Sequence, residues 1–258
     1  MSTQIVKKNS AGALASINLR QYAGKGTEEI GSDDVSTPIL KILHQLSPEC
    51  NTRSPKHVEG AQPGMIYSAS LGTLIDGDKG LDVVVAHSHM RWPEWQDKGE
   101  GSSAPVAVHM TVPTDAVEEI RGIKYRLPNG NYLEKTFYFY VIVMVDELPR
   151  KAVITMRSSN LTPARDLNNQ LKNLKTSDDK GKFQAPSFMG LFKLKTAAKT
   201  GKGDKNWHVY KPSYIRMLDL STNDESALFK MGADFQEQVS EGTAKPKYEK
   251  VVQSEDIA

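Results

Sequence analysis

Apolar positions along this chain keep a period of two over most of residues 60–217 and a helical period in three shorter stretches. The first helical stretch follows Thr37-Pro38, a capping residue before a proline suited to the first helical position. Ile39, Ile42, Leu43 and Leu46 then fall on one helical stripe, which Ser47-Pro48 ends. A strand is the alternative reading of so short a run. From residue 60 the texture is β. Leu81 to Met90 predicts a strand with Val83, Val85, His87 and His89 on one face. Residues 105–112 predict another. Residues 122–127 lead into Pro128-Asn129-Gly130, and Asn-Gly between β-prone runs predicts a hairpin. The returning arm, 135–145, is apolar on both faces and so predicts a central strand. A turn at Glu147 to Arg150 and a strand at 152–156 follow. Thr162-Pro163 repeats the capping device and opens a second helix, with Ala164, Leu167, Leu171 and Leu174 inward and Arg165, Asn168, Lys172 and Lys175 outward. After a loop at 177–181, residues 188–196 alternate again, with Lys193 and Lys195 opposite Phe192 and Leu194. A Lys/Gly loop then leads to a strand region at 207–220, broken by Pro212. Leu228, Met231, Phe235 and Val239 predict a last helix over 227–239.

This order predicts an α+β, β-rich fold. Two strands, a helix and two strands are compatible with a closed or partly open five-stranded OB-like barrel with an inserted helix and flanking helices. The expected organisation is a flexible arm at 1–31, one β-rich domain at 32–241 and a disordered, mildly acidic tail at 242–258. A hydrophobic fraction of 38% suffices for a core. Cys50 is the only cysteine, so no intrachain disulfide can form, and a reducing, cytoplasmic setting is expected. No apolar run is long enough for a membrane span, and the first ten residues lack the apolar core of a secretory signal.

Charge changes the picture. The chain as a whole carries +2, yet residues 150–216 hold 15 Lys/Arg against 4 Asp/Glu. The two flanks compensate, with 14 basic and 18 acidic residues at 1–149 and 4 basic and 9 acidic at 217–258. The basic stretch also carries Phe183, Phe188, Phe192, Trp207, Tyr210 and Tyr214. Cations interleaved with aromatics suit a polyanion with flat faces, which is single-stranded nucleic acid. Lys193, Lys195, Lys199, Lys202, Lys205 and Lys211 are candidates to track phosphates, and Trp207 and Tyr210 to stack bases. The bland reading is a solvated lysine loop over core aromatics. Tyr138 and Tyr140, on one face of the central strand, and Arg91 with Trp92, in the run Trp92-Pro93-Glu94-Trp95, are further candidates. Their bland readings are buried tyrosines with wet tips and a packed corner.

Catalytic and metal signatures are weak. His87 and His89 lack the partners that would complete a metal site, and Asp76 to Gly80 lacks the glutamate of a calcium loop. Neither Gly24-Lys25-Gly26 nor Gly201-Lys202-Gly203 is a phosphate loop, and no nucleophile elbow is present. No cofactor and no enzymatic activity are expected.

Several local signatures occur together: Asp34-Val35 before Pro38-Ile39-Leu40-Lys41; Leu46-Ser47-Pro48-Glu49; Gly60 with Gly64-Met65-Ile66; Trp92-Pro93-Glu94-Trp95; Leu127-Pro128-Asn129-Gly130; and the lysine-rich loop into Trp207. In these the chain resembles tailed-bacteriophage single-stranded DNA-binding proteins of replication and recombination modules, over roughly residues 33–220. The resemblance implies an OB-like fold, sequence-independent coating of single-stranded DNA and no catalysis. Replication or recombination proteins are implied partners through the acidic end, Ser254 to Ala258, and self-association is left open. Two alternatives stand beside this expectation: a strand-annealing or recombination mediator, and a non-enzymatic protein that contacts a host polymerase or defence factor.

Overall fold

A computed structural model describes residues 25–26, 36–97, 104–201, 206–246 and 248. The chain divides between Val35 and Ser36 into two compact units. Of the first, only a turn at residues 25 and 26 is described. Apart from residues 25–26 the expected N-terminal arm lies outside the described residues, as do residues 247 and 249–258 of the expected tail.

Leu81–Trp95 form a 15-residue strand, β4, on which the second unit is built. Before it come β1 (Ile39–Ile42), β2 (Ile66–Ser68) and β3 (Thr73–Ile75). After it come β5 (Ala107–His109), β6 (Val117–Ile120), β7 (Lys124–Arg126), β8 (Tyr132–Glu134), β9 (Thr136–Val145) and β10 (Leu148–Arg157). Helix α1 (Leu161–Lys172), the small hairpin β11 (Lys175–Asp178) and β12 (Gly181–Gln184), then β13 (Gly190–Thr200), β14 (Asn206–Met217) and helix α2 (Asn223–Ser240) complete the unit. One 12-stranded sheet runs β3-β2-β1-β10-β9-β4. At β4 it forks. The first part of β4 pairs with β13, which holds β14, and the last part pairs with β5 and with β8, which leads to β7 and β6. The β1–β10 pair is parallel and its neighbours are antiparallel, so the sheet is mixed.

The fold is β-rich with few helices, as expected, but the sheet is not closed into a barrel. Among the described residues β14 has no strand partner besides β13. It reaches β1 through one side chain: the Tyr210 hydroxyl donates to the Leu40 carbonyl at 3.4 Å. The expected first helix is the strand β1. Leu40 and Ile42 are buried between half-buried Ile39 and Lys41, a period of two, and Leu46, the end of the expected helical stripe, is 95% exposed. Pairing on both sides, with β10 and β2, overrides the helical spacing.

Two cores lie on opposite faces of the sheet. On one, Val83, Val85, Phe139, Val141, Ile154, Phe192 and Leu194 pack beneath Ala164, Leu167 and Leu171 of α1. On the other, Val84, Ala86, Tyr138, Tyr140 and Ile142 pack beneath Phe235 of α2. Ala164, Leu167 and Leu171 face inward as their spacing predicts, but the cap position is Asn160 and not Thr162, and the helix ends at Lys172, so Leu174 is buried beyond it and Lys175 opens β11. A bulge between Val85 and His87 breaks the alternation of β4. It turns His87 and His89 onto the α2 face, opposite Tyr140 and Tyr138 and away from Val83 and Val85, with which they were expected to align. The turn into β10 is Asp146-Glu147, both at positive φ (49° and 63°); Leu148, Pro149 and Arg150, expected in the turn, already pair with β9. Residues 177–181, expected as a loop, are the turn of the β11–β12 hairpin with parts of its strands.

Pro212 does not break β14. The Tyr210 N–H points away from β13 and is accepted by Asn160 Oδ1 at 2.7 Å. Pro212, two residues on, shares that outward side, where it forfeits no ladder bond on an edge strand. Helix α2 starts four residues before the expected Ala227, at Thr222-Asn223-Asp224-Glu225, a capping-box sequence. Thr222 Oγ1 accepts from the Glu225 N–H at 3.4 Å. Thr222→Ala is expected to lower stability by about 1 kcal/mol, read as a shift in the urea midpoint at unchanged slope.

Candidate nucleic-acid interface

Antiparallel pairing of β13 with β14 brings four of the expected residues to one face. Lys195 stands directly opposite Lys211, and Lys199 opposite Trp207. Residues facing each other across a ladder share a side, as do residues four apart on a strand, so all four lie together. Lys195, Lys199 and Lys211 are exposed and Trp207 is half-buried. Among the described residues none of the three lysines has a carboxylate within ion-pair distance.

Beside this face runs a cleft of about 920 Å³ between β14 and α1. Lys199, Trp207 and Lys211 line one wall, and Thr162, Asn169 and Gln170 of α1 line the other. Asp166 is the only acid among the described lining residues. The Trp207 indole nitrogen is buried without a hydrogen-bond acceptor, a cost of about 1–3 kcal/mol in such a setting. Side chains of α1 and its approach fix the wall: Asn160 accepts from the Tyr210 N–H, and Gln170 Nε2 reaches the Pro212 carbonyl at 3.5 Å. The cleft offers a cationic rim, one indole and neutral amides and hydroxyls, and suits a chain of phosphates carrying flat polar groups.

The remaining candidates are placed elsewhere. Lys193 is half-buried and its ammonium is held by Asp82 at 2.6 Å, so its charge is already matched. Lys202 and Lys205 lie outside the described residues. Tyr210 is not a stacking platform: its ring is 3% exposed in the core and burial pushes its phenol upward. Tyr214, four residues on, is exposed and packs edge-on against Phe192 at 5.7 Å. Tyr138 and Tyr140 are also covered. Phe235 of α2 meets the Tyr140 ring edge-on at 5.7 Å, and the Tyr248 hydroxyl meets that of Tyr138 at 2.6 Å. Burial raises both phenols, that of Tyr140 to about 12. Arg91 shares that face and bonds the Met90 carbonyl.

Trp92 is buried against Tyr125 in a separate cluster with Leu127 and Leu133. Its motif does different work. Glu94 is buried, and its carboxylate accepts from Asn131 Nδ2 at 2.6 Å, from Asn129 Nδ2 at 3.0 Å and from His109 Nε2 at 2.8 Å. Asn131 foremost, then Asn129 and His109, hold this carboxyl below its ordinary range against the opposing effect of burial. Trp92-Pro93-Glu94-Trp95 and Leu127-Pro128-Asn129-Gly130 are thus two halves of one cluster.

Among the described residues no three His, Cys, Asp or Glu are placed to hold a metal ion, and no helix is long and apolar enough to cross a membrane. Asn169 and Gln170 are parts of the cleft that sequence reasoning missed, since the β14 wall they face lies some forty residues further along the chain.

No curated protein and no solved structure matches this chain. The family model described as Pam3 phage gp34-like protein matches residues 6–245, which takes in every described element from β1 to α2. The chain therefore belongs to the Pam3 phage gp34-like protein family.

Proposed function

We propose that this phage-family protein binds single-stranded DNA without sequence preference, coating it during phage DNA replication or recombination in the cytoplasm of the infected host, and that it does so without catalysis. One observation carries the reading: three exposed, unmatched lysines and an indole share one face beside an open polar cleft. Lys195 and Lys211 face each other directly, an arrangement that costs about 0.2–1 kcal/mol and that a bound phosphate would reverse. The OB-like part of the reading rests on element order alone, with β9, β10, α1, β13 and β14 occurring in that order and the β11–β12 hairpin inserted between α1 and β13.

The test is titration of the protein with oligo-dT at low salt, read by tryptophan emission and gel mobility. Wild type should shift and lose emission, and the emission change should vanish in Trp207→Phe. Lys195→Glu with Lys211→Glu should weaken binding at least tenfold, since each phosphate contact contributes about 0.7 to the log–log salt slope and the reversed charges repel. Unchanged mobility and emission in wild type would remove the proposal.

A second reading, contact with a host polymerase or defence factor, is favoured by the chain around β5 and β6. Val106, Val108, Met110, Val117 and Ile120 are all about half exposed or more there. Host protein that co-purifies after nuclease treatment would support it.

A further inference from the structure

We propose that a single DNA strand lying in the Trp207 cleft continues across the exposed side of α1 into a second cleft, where Arg165 and Lys172 take its phosphates. This rests on the reading above and extends it to a second site. Three observations carry it.

The first is a gap in the sheet. On one side β4 pairs with β13 at Leu81 to Val84 and with β5 at Trp92 to Glu94. Between them, residues 85–91 have no strand partner on that side among the described residues. A cleft of about 520 Å³ opens there, lined by His87 and His89 from β4, Arg165, Asn168 and Lys172 from α1, and Gln236 from α2. It is a held site: Ser88 Oγ donates to Asn168 Oδ1 at 2.9 Å, tying α1 to the strand, and Ser187 Oγ donates to the Ala86 carbonyl at 3.0 Å.

The second is continuity. Asn169 lines both clefts, so the surface between them is one side chain wide at that point.

The third is charge. Arg165 and Lys172 are exposed, two turns apart on α1 and about 10 Å from each other along its axis. Neither has a carboxylate partner among the described residues. Burial, with Arg91 nearby, holds His87 and His89 below the ordinary imidazole value, His89 at about 4. Both rings are therefore neutral at pH 7 and present polar faces suited to bases, leaving the phosphates to the two cations.

The experiment compares dT6 with dT20 across a salt series for wild type, Arg165→Ala with Lys172→Ala, and Lys195→Ala with Lys211→Ala. The α1 pair should reduce the dT20 salt slope by about 1.4, two phosphates at about 0.7 each, while leaving the Trp207 emission change with dT6 intact. The charge-keeping pair Arg165→Lys with Lys172→Arg should restore the slope, which separates lost charge from lost structure. An α1 pair with a wild-type dT20 slope, beside a hairpin pair that has lost its own, would overturn the extension and leave the Trp207 cleft standing. Wild type that binds neither oligonucleotide would overturn both. Tighter binding of rU20 than of dT20 would overturn the assignment to DNA.

Discussion

Glu94→Ala should unfold more readily than wild type by about 3 kcal/mol, the largest loss expected from any single polar change in this chain. Among the described residues the carboxylate is the sole side-chain acceptor of three groups, Asn129, Asn131 and His109, which come from the hairpin turn and from β5. Removing it leaves all three without that acceptor and takes away the side-chain tie that joins β4 to β5 and to the turn before β8, with only the backbone pairing left. The loss should depend on acidity in a definite direction. The folded carboxyl is held below its ordinary value, so it binds a proton less readily folded than unfolded. Its contribution is complete above the ordinary carboxylate value of 4.5 and fades as pH falls through the folded value. Urea midpoints of wild type and Glu94→Gln should therefore lie far apart at pH 7 and draw together below about pH 4.5. A gap that stays constant down to pH 2.5 would show that the carboxylate charge does not hold the cluster.

Gly77→Ala is the second. The Gly77 carbonyl accepts the Thr196 N–H at 2.9 Å, while Thr196 Oγ1 donates to the Gly64 carbonyl at 2.6 Å. Three chain segments meet here with no room for a side chain. A Cβ at Gly77 would run into both Thr196 Oγ1 and the Gly64 carbonyl. The Gly64 carbonyl is backbone and cannot swing aside as a side-chain tip would. The variant should lose about 3 kcal/mol, or roughly 6–12 °C in Tm for a unit of this size. Because β13 carries Lys195 and Lys199, the same change should also weaken oligo-dT binding if the proposed interface is correct. A thermal scan and a titration at a temperature where both proteins are folded separate the two effects.

The elements that could be read from the sequence are those whose partners are close in the chain. The Asn129-Gly130 turn, the inward stripe of α1 and the alternation of Phe192 and Leu194 with Lys193 and Lys195 all report local geometry. What failed depended on distant partners. Ile39, Ile42, Leu43 and Leu46 have helical spacing, but β10, more than a hundred residues later, makes Ile39–Ile42 a strand. One extra residue at Ala86 reverses the faces of His87 and His89, and alternation counted in sequence cannot register it. At the candidate interface, the pairing of Lys195 with Lys211 and Lys199 with Trp207 follows from a hairpin register that composition does not contain. Tyr210, Tyr138 and Tyr140 read as ligand platforms in the sequence because a tyrosine's sequence context does not say whether another element covers it. The short signatures behind the phage resemblance prove to touch one another. Lys41 of Pro38 to Lys41 pairs with Glu49 of Leu46 to Glu49 at 2.8 Å, and Glu94 binds Asn129. These signatures record how the chain folds, and the lysines and Trp207 of β13 and β14 carry the case for a ligand.

The parallel pairing of Ile39 and Leu40 with Val153 and Ile154 also sets an order of assembly on the ribosome. At a synthesis rate of about 5–20 residues per second, β1 emerges on the order of ten seconds before the strand it must join. Thr37, whose N–H donates to the Lys245 carbonyl, waits longer still, until the end of the described chain has been made. The first described strand is among the last to be seated. During that interval Leu40 and Ile42 have only the short β2 for company. Pro38 and Lys41, one before the run and one within it, then act as gatekeepers that keep a nascent strand from pairing with its neighbours on the same message.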